Sequence, residues 1–400
     1  MTIYHPRLLA HRLTAALARH KSILLLGARQ TGKSTLIKHT CSPDLVHNLV
    51  IPAQRQQFER NPDSLRTEVD ALRLKKIGSV PLIVIDEVQK APELMNMAQY
   101  LIDEQQAQFI LTGSSARKLK HHKSGINLLP GRVVVLHLDP LTLAELPEPL
   151  PPLENILIYG NLPGIRFDKT DSEREEDLLS YTETYLEEEV RQEALVREVG
   201  SFARFLELAA ISLGQPINFT KLSQDTGVDV HTVIEYFQIL QDCLIADRIE
   251  PLTISKSRRR LTKAPKFLFF DLGIQRICAR EGIALSQRTM AMLFEQFIGM
   301  ELLRHLRLYA PHFQLKYWRD HNGPEVDYVI DMNNTYLPIE VKWTTNPSVK
   351  DAAHLIKFMQ EYPCTEIVYL ICRVTHPRQI APGIVALPWQ ALREWQLPTA

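Results

Sequence analysis

The spacing of apolar positions changes along the chain, and each change marks a different kind of element. Residues Ser22 to Ala28, SILLLGA, form an uninterrupted apolar run, as a central parallel strand covered on both faces requires. Two further runs, VPLIVIDEV from Val80 to Val88 and QFILTGSS from Gln108 to Ser115, are separated by the helical pattern APELMNMAQYLIDEQQ. Strands alternating with helices predict an α/β sheet. A fourth run, GRVVVLHL, leads into the proline-rich PEPLPPL at Pro147 to Leu153. Such a segment continues neither a helix nor a central strand, so it predicts the end of a first domain.

Farther on, the stretch from Asp171 to Glu193 is strongly acidic, yet Leu178, Leu179, Tyr185 and Leu186 recur at helical spacing. It reads as a helix with a solvated acidic face. FARFLELAAISLG and FTKLSQDTGVDVHTVIEYFQILQDCLI then read as helix, glycine-containing turn and helix, a helix-turn-helix pattern. From about Lys263 the tail returns to mixed α/β, with FLFFD, the helix MLFEQFIGMELLRHL, and strands around KYWR, EVDYVI, YLPIEVKW and EIVYLICRV. No repeat or low-complexity segment is found.

Composition narrows the class. A chain of 400 residues calls for several domains, and 46 Lys+Arg against 46 Asp+Glu leave no global field to attract nucleic acid or membrane. Cys41, Cys243, Cys278, Cys364 and Cys372 form no CxxC pair and suggest neither a disulfide framework nor a zinc knuckle. The amino-terminal MTIYHPRLLAHRLTAALARH breaks its apolar residues with His and Arg, so an amphipathic helix is expected rather than a signal peptide. No run of about 18 apolar residues occurs, and a soluble protein of a reducing cytoplasm, without a membrane partner, is the expectation.

The sharpest motif is Gly27, Ala28, Arg29, Gln30, Thr31, Gly32, Lys33 and Ser34, followed by Thr35, which fits the phosphate-loop template between a buried strand and a helix. Its glycines let backbone N–H groups turn inward on phosphate oxygens, and the helix adds the positive end of its dipole. Lys33 would bridge the β- and γ-phosphates of ATP and Ser34 would ligate Mg²⁺. Asp86 and Glu87 end the second apolar strand, placing carboxylates at the sheet edge where α/β folds bind ligands. Asp86 suits Mg²⁺, directly or through water, and Glu87 suits polarisation of an attacking water. An Asp-Glu helix cap is the bland alternative. Ser114, at the end of the third strand, offers a hydroxyl to the γ-phosphate or the water, or simply caps a helix. Arg132 is the candidate arginine finger for a neighbouring subunit's nucleotide, set against an ordinary strand-edge arginine.

In the tail, Asn333-Asn334 separates two apolar strands and suits a two-residue hairpin turn. Asp327 would then lie opposite Glu340, and Glu325 opposite Lys342, on one face. Two facing carboxylates repel unless a cation sits between them, so Asp327 and Glu340 are candidate Mg²⁺ ligands, with Lys342 steadying a water or phosphate. Asp327 followed by Glu340-Val341-Lys342 resembles the D…ExK signature of restriction-endonuclease-like folds, and Glu295 on the preceding helix is the candidate additional acid. The alternative is a cross-strand salt-bridge ladder. Lys256, Arg258, Arg259, Arg260, Lys263 and Lys266 crowd one segment after the helix-turn-helix, where a wing would present phosphate-binding cations, although a solvated loop explains such a run equally well.

Taken in order, GARQTGKST, LIVIDEVQKAP, ILTGSS, YGNLPG, RLTKAPKFLFFDLG, EVDYVI and IEVKW resemble, over nearly the whole chain, prokaryotic AAA-type ATPases with a winged-helix middle and a C-terminal domain of unknown function with a restriction-endonuclease-like fold. YGNLPG departs from the paired glycines that relatives often carry before the proline. The resemblance implies ATP and Mg²⁺ as cofactors, assembly into a homo-oligomeric ring and a DNA-related role. The expected divisions are an AAA+ P-loop ATPase domain at 1–146, a helical lid at 147–198, a winged helix at 199–262 and an endonuclease-like α/β domain at 263–400. Two other functions stay open: a nucleotide-controlled switch with a non-catalytic interaction module, and a DNA-binding regulator.

Overall fold

The apolar run at residue 22 folds as β1 (Ser22–Leu26), buried along its whole length. With β2 (Leu45–Asn48), β3 (Leu82–Asp86), β4 (Gln108–Gly113) and β5 (Val133–His137) it forms a parallel sheet of order β2-β3-β4-β1-β5. The computed structural model describes residues 4–76, 78–115, 129, 131–167, 169–186, 199–253, 263–320, 323–333 and 335–397. Contacts divide the chain into two units, one chiefly of residues up to Pro140 and one chiefly of residues from Leu141 onward. β2, Leu-Val-His-Asn, was not foreseen; it is short and only one of its residues is buried.

Parallel registry brings three carboxyl ends together. Leu26 pairs with Gly113 and Ile85 with Leu111, so the loop after β1, the acids ending β3 and Ser114 after β4 emerge on one sheet edge. Phe58, Val69, Met95, Leu101 and Phe109 pack among the core residues of this unit.

The second unit is built on a mixed sheet of β6 (Ala246–Pro251), β7 (Lys266–Phe269), β8 (Gln314–Arg319), β9 (Glu325–Asp331), β10 (Tyr336–Val341), β11 (Val368–Cys372), β12 (Arg378–Ala381) and β13 (Ile384–Pro388). Its order is β12-β13-β11-β10-β9-β8-β6-β7. The β9–β10 hairpin has the expected register, from Tyr336 opposite Asp331 to Ile339 opposite Tyr328, and Met332 N–H donates to Thr335 O at 2.9 Å across the turn. Asn333 takes φ 59°, the left-handed conformation that asparagine tolerates.

By contacts the first unit ends at Pro140, because Leu141, Leu143, Leu146, Leu153 and Ile156 share a core with Phe294, Tyr317, Tyr328 and Leu370. A division at residue 263 would cut between β6 and β7, which pair from Ala246 with Phe269 to Ile249 with Lys266, while β6 also joins β8. Sequence patterning marks a strand but not the sheet that receives it.

Helices Val199–Ser212, Phe219–Thr226 and Val230–Asp242 precede β6, with Gly227 at φ 76° ending the second. Phe237 stacks on Phe267 of β7 at 4.4 Å, tying the third helix to the sheet. YGNLPG and the FFDLG segment also meet. The Asp271 carboxylate accepts the N–H groups of Asn161 at 2.7 Å and Gly273 at 3.0 Å, and a Cβ on Gly160 would fall 2.0 Å from it. Among the described residues no helix is long and apolar enough to cross a membrane.

Candidate functional site

The loop after β1 closes tightly before the helix Lys33–Thr40 begins. Gln30 at φ 61° and Gly32 at φ 96° both lie in the left-handed region, the kind of alternation that turns successive N–H groups into an anion-binding hollow. Gly27 has no room for a side chain, since a Cβ there would lie 2.4 Å from Leu138 O. Thr31 Oγ1 donates to Ala28 O at 2.9 Å, and the buried Arg7 guanidinium braces the loop from outside through Thr31 O at 2.7 Å and Asp139 O at 2.6 Å. Arg7 lies outside the motif, so sequence reasoning missed it. Arg29 is half-buried, and Ser34 and Thr35 are exposed at the start of the helix.

Lys33 is buried, and its ammonium donates to Gly27 O at 2.8 Å and Ala28 O at 3.2 Å, with Glu87 Oε1 at 4.0 Å. Burial lowers its pKa, opposed by the charges of Glu87 and Asp86 and reinforced by Arg29. Two neutral carbonyls are poor partners for an ammonium, so incoming phosphate oxygens can replace them. Ser34 Oγ donates to Asp86 Oδ2 at 3.0 Å, and Thr112 Oγ1 donates to the other carboxylate oxygen. A hydroxyl and a carboxylate meeting beside the phosphate hollow are the hard oxygen donors that suit Mg²⁺.

Glu87 sits at φ 60°, which for a non-glycine residue signals imposed strain. Its N–H is held by Thr112 Oγ1 at 3.1 Å, and its carboxylate accepts from Ser114 Oγ at 2.9 Å and from Gln89 Nε2. Gln89 Nε2 also donates to Ser114 Oγ at 3.0 Å, closing a buried triangle. Ser114, expected to meet the γ-phosphate or the attacking water, here holds the Glu87 carboxylate. Gln89 was missed altogether; its position two residues after DE was the available signal. Arg132 precedes Val133, whose partner Ser22 begins β1, so it lies at the sheet edge opposite the loop. Its Nε donates to Asp103 Oδ1 at 2.6 Å. The structure does not bring it together with Lys33, Asp86 and Glu87.

A second constellation lies in the tail. Glu295, Glu325, Asp327, Glu340 and Lys342 gather as expected, but Lys266, expected in an exposed basic run, is fully buried among them. Its ammonium lies 2.8 Å from Glu325 Oε1 and 3.3 Å from Glu295 Oε1, over the rings of Tyr317 and Tyr328. Burial opposes its charge, yet Glu295, Glu325 and Asp327 together raise its pKa. Gly299 lets the helix Gln287–Tyr309 close on β9, since a Cβ there would fall 2.3 Å from the Tyr328 hydroxyl, which donates to Glu295 O. Asp327 Oδ2 accepts Val341 N–H at 2.8 Å, and Lys342 donates to Glu340 Oε1 at 2.6 Å.

Burial, followed by the charge of Asp327, pushes Glu295 up to about 7 and raises Glu340 well above the usual carboxylate range. Glu340 Oε2 is buried without a hydrogen-bond partner. Where a Mg²⁺ ion was expected between repelling carboxylates, the Lys266 ammonium stands among them and offsets their charge. Among the described residues no group of three or more His, Cys, Asp or Glu side chains is placed to hold a metal ion. The donor set as arranged does not fit one, and no cleavage step follows from it.

Residues 19–147 match the family described as an AAA domain, residues 151–284 a domain of unknown function (DUF8612), and residues 290–392 a domain of unknown function (DUF4143). Uncharacterized proteins of Mycobacterium bovis and Mycobacterium tuberculosis are each 27% identical over 344 residues, covering 85% of this chain and 74% of theirs. A Walker-type ATPase of Pyrococcus abyssi is 14% identical with a TM-score of 0.45, covering 67% of this chain and 94% of its own. The AAA-domain match supports a P-loop ATPase family and nucleotide-dependent activity. The descriptions matched by the rest of the chain name no activity.

The expected DNA-binding residues divide. Lys256, Arg258, Arg259 and Arg260 lie outside the described residues, and Lys263 is exposed. Helix Val230–Asp242 shows His231, Ile234, Glu235 and Gln238 to solvent and contains no lysine or arginine. Such a face brings no cation to a phosphate backbone.

Proposed function

We propose that this chain hydrolyses ATP at the phosphate loop, with Mg²⁺ as cofactor. The observation that carries the reading is the Glu87 carboxylate, oriented by Ser114 and Gln89 on the sheet edge that also presents Lys33. Lys33 and the loop N–H groups would bind the triphosphate, Glu87 would orient the attacking water and accept its proton, and Arg7 would keep the loop closed. Ser34 and Asp86 would hold Mg²⁺, which when bound neutralises phosphate charge. Glu87→Gln should keep nucleotide affinity, read by calorimetry, and lower phosphate release by about a hundredfold. Wild-type turnover in that variant would overturn the assignment.

Ring assembly and action on DNA through the segment containing Lys256 to Lys263 belong to the same reading. In a ring, Arg132 would have to leave Asp103 to serve a neighbour. Mass photometry tests the assembly, and ATP turnover measured without DNA and with duplex, single-stranded and branched DNA tests the partner. A second reading, a nucleotide-controlled switch that docks a protein, is favoured by the exposed, cation-free face around Ile234. Turnover indifferent to every DNA would favour it.

A further inference from the structure

A cavity of about 220 Å³ lies within the second unit, walled by Pro147, Pro151, Pro152 and Phe167 and reached by Asn155, Arg166 and Arg174. Arg166 is only 5% exposed. Its Nη1 is fixed by Asn155 Oδ1 at 2.9 Å and more loosely by Asn155 O and Gly160 O, while its Nη2 is buried and has no hydrogen-bond partner. Arg174 is anchored through Nη1 to Asp171 Oδ1 at 2.7 Å, donates Nη2 more loosely to Arg166 O at 3.4 Å and rests over the Tyr159 ring at 5.6 Å, and its buried Nε is likewise unpartnered. Two guanidinium groups that line the cavity thus each keep a buried, unpartnered N–H.

Leaving buried donors unused costs free energy, and leaving charged ones unused costs more. Among the described residues lining the cavity none is a carboxylate. Burial first, and the like charge of Arg174 second, push Arg166 down to about 10, with Asp271 and Asp171 opposing. The proline and phenylalanine walls offer no side-chain donor or acceptor of their own, and proline lacks an N–H. An anion between the arginines would satisfy both donors and relieve their repulsion in surroundings where charge-assisted hydrogen bonds are strong.

We propose that this cavity is an oxyanion site that takes a phosphate group, either as inorganic phosphate or as the terminus of a small phosphorylated molecule. Two guanidinium groups, one fixed chiefly at Asn155 and the other at Asp171, suit an anion offering oxygens in different directions, as tetrahedral phosphate does. The volume lies below the roughly 300–1,000 Å³ of sites for drug-sized ligands, so the occupant is small. Its apolar part, if it has one, packs on the prolines.

The test uses full-length protein carrying Lys33→Ala, so that the phosphate loop does not compete. Melting is followed by tryptophan fluorescence in inorganic phosphate, phenyl phosphate, acetate and chloride at equal ionic strength, with affinities from calorimetry. Both phosphates should raise the melting temperature above acetate and chloride. Arg174→Gln should weaken phosphate binding by at least about tenfold, and Arg174→Lys by less. Arg174 is the chosen position because Arg166 also fixes Asn155 and Gly160. Tighter binding of phenyl phosphate would identify a phosphorylated molecule as the ligand, and equal affinity would identify phosphate itself. Phosphate acting no more strongly than chloride, or equally on Arg174→Gln, would overturn the proposal.

Discussion

Two buried lysines, one in each unit, have opposite settings. Lys33 rests on two carbonyl oxygens and keeps its nearest carboxylate at 4.0 Å, whereas Lys266 is closed on Glu325 at 2.8 Å and Glu295 at 3.3 Å. Burial wins at Lys33 and lowers its pKa; the surrounding carboxylates win at Lys266 and raise it. An ammonium that must receive a ligand is held by partners weak enough to exchange. One that neutralises a buried acid cluster is held by partners too strong to release, so burial alone does not reveal which task a lysine performs.

Removing each charge is the most direct way to break this contrast. Lys33→Ala should lose nucleotide affinity by about a hundredfold or more, because it removes the ammonium held against the loop carbonyls. Lys266→Met should bind nucleotide like wild type. Calorimetry on both variants decides the matter, and equal losses would mean that the two lysines do not differ in the way their partners indicate.

Stability should show the reverse order. Taking Lys266 away leaves the buried Asp327 and the half-buried Glu295 and Glu325 without the cation between them, and breaking a buried ion pair from one side costs up to about 3–5 kcal/mol. All four tryptophans, Trp318, Trp343, Trp389 and Trp395, lie in the second unit, so their fluorescence reports its unfolding in urea. Lys266→Met should lower the midpoint sharply, and adding Glu325→Gln should restore part of the loss. An unchanged midpoint would make the cluster energetically idle.

The same contrast explains what the sequence disclosed. The phosphate loop was legible because its chemistry lies in consecutive residues between a buried strand and a helix. The β9–β10 register was legible because a tight turn at Asn333 fixes which positions face each other. Lys266 was not, since it sits at the end of SKSRRRLTKAPK and looks like one more solvated cation. Its burial depends on Glu295 from a helix and Glu325 from another strand. Gln89 was hidden because only the left-handed turn at Glu87 folds it back onto the carboxylate. The core joined by Leu141, Leu143 and Leu146 was hidden for a related reason: periodicity says which face is apolar, not which core it joins.

The smallest expected effect separates two ways of tolerating an ionisable group drawn partly or wholly out of water within one unit. Lys266 keeps its charge by acquiring partners; His305, on the helix Gln287–Tyr309, gives its charge up. Burial alone pushes its imidazole down to about 4 as the ring packs beside Tyr309 and Trp395 at 4.8 Å and 5.0 Å. In the unfolded chain the group titrates near its ordinary value of about 6.5. Between those values the unfolded state binds the extra proton, so stability from His305 is complete above about 6.5 and is lost as pH falls through about 4. His305→Phe keeps an aromatic ring and removes the proton site. Its urea midpoint, followed through tryptophan fluorescence, should fall less steeply than that of wild type across this window. Parallel slopes would mean that the ring accepts its proton in the folded state at little cost.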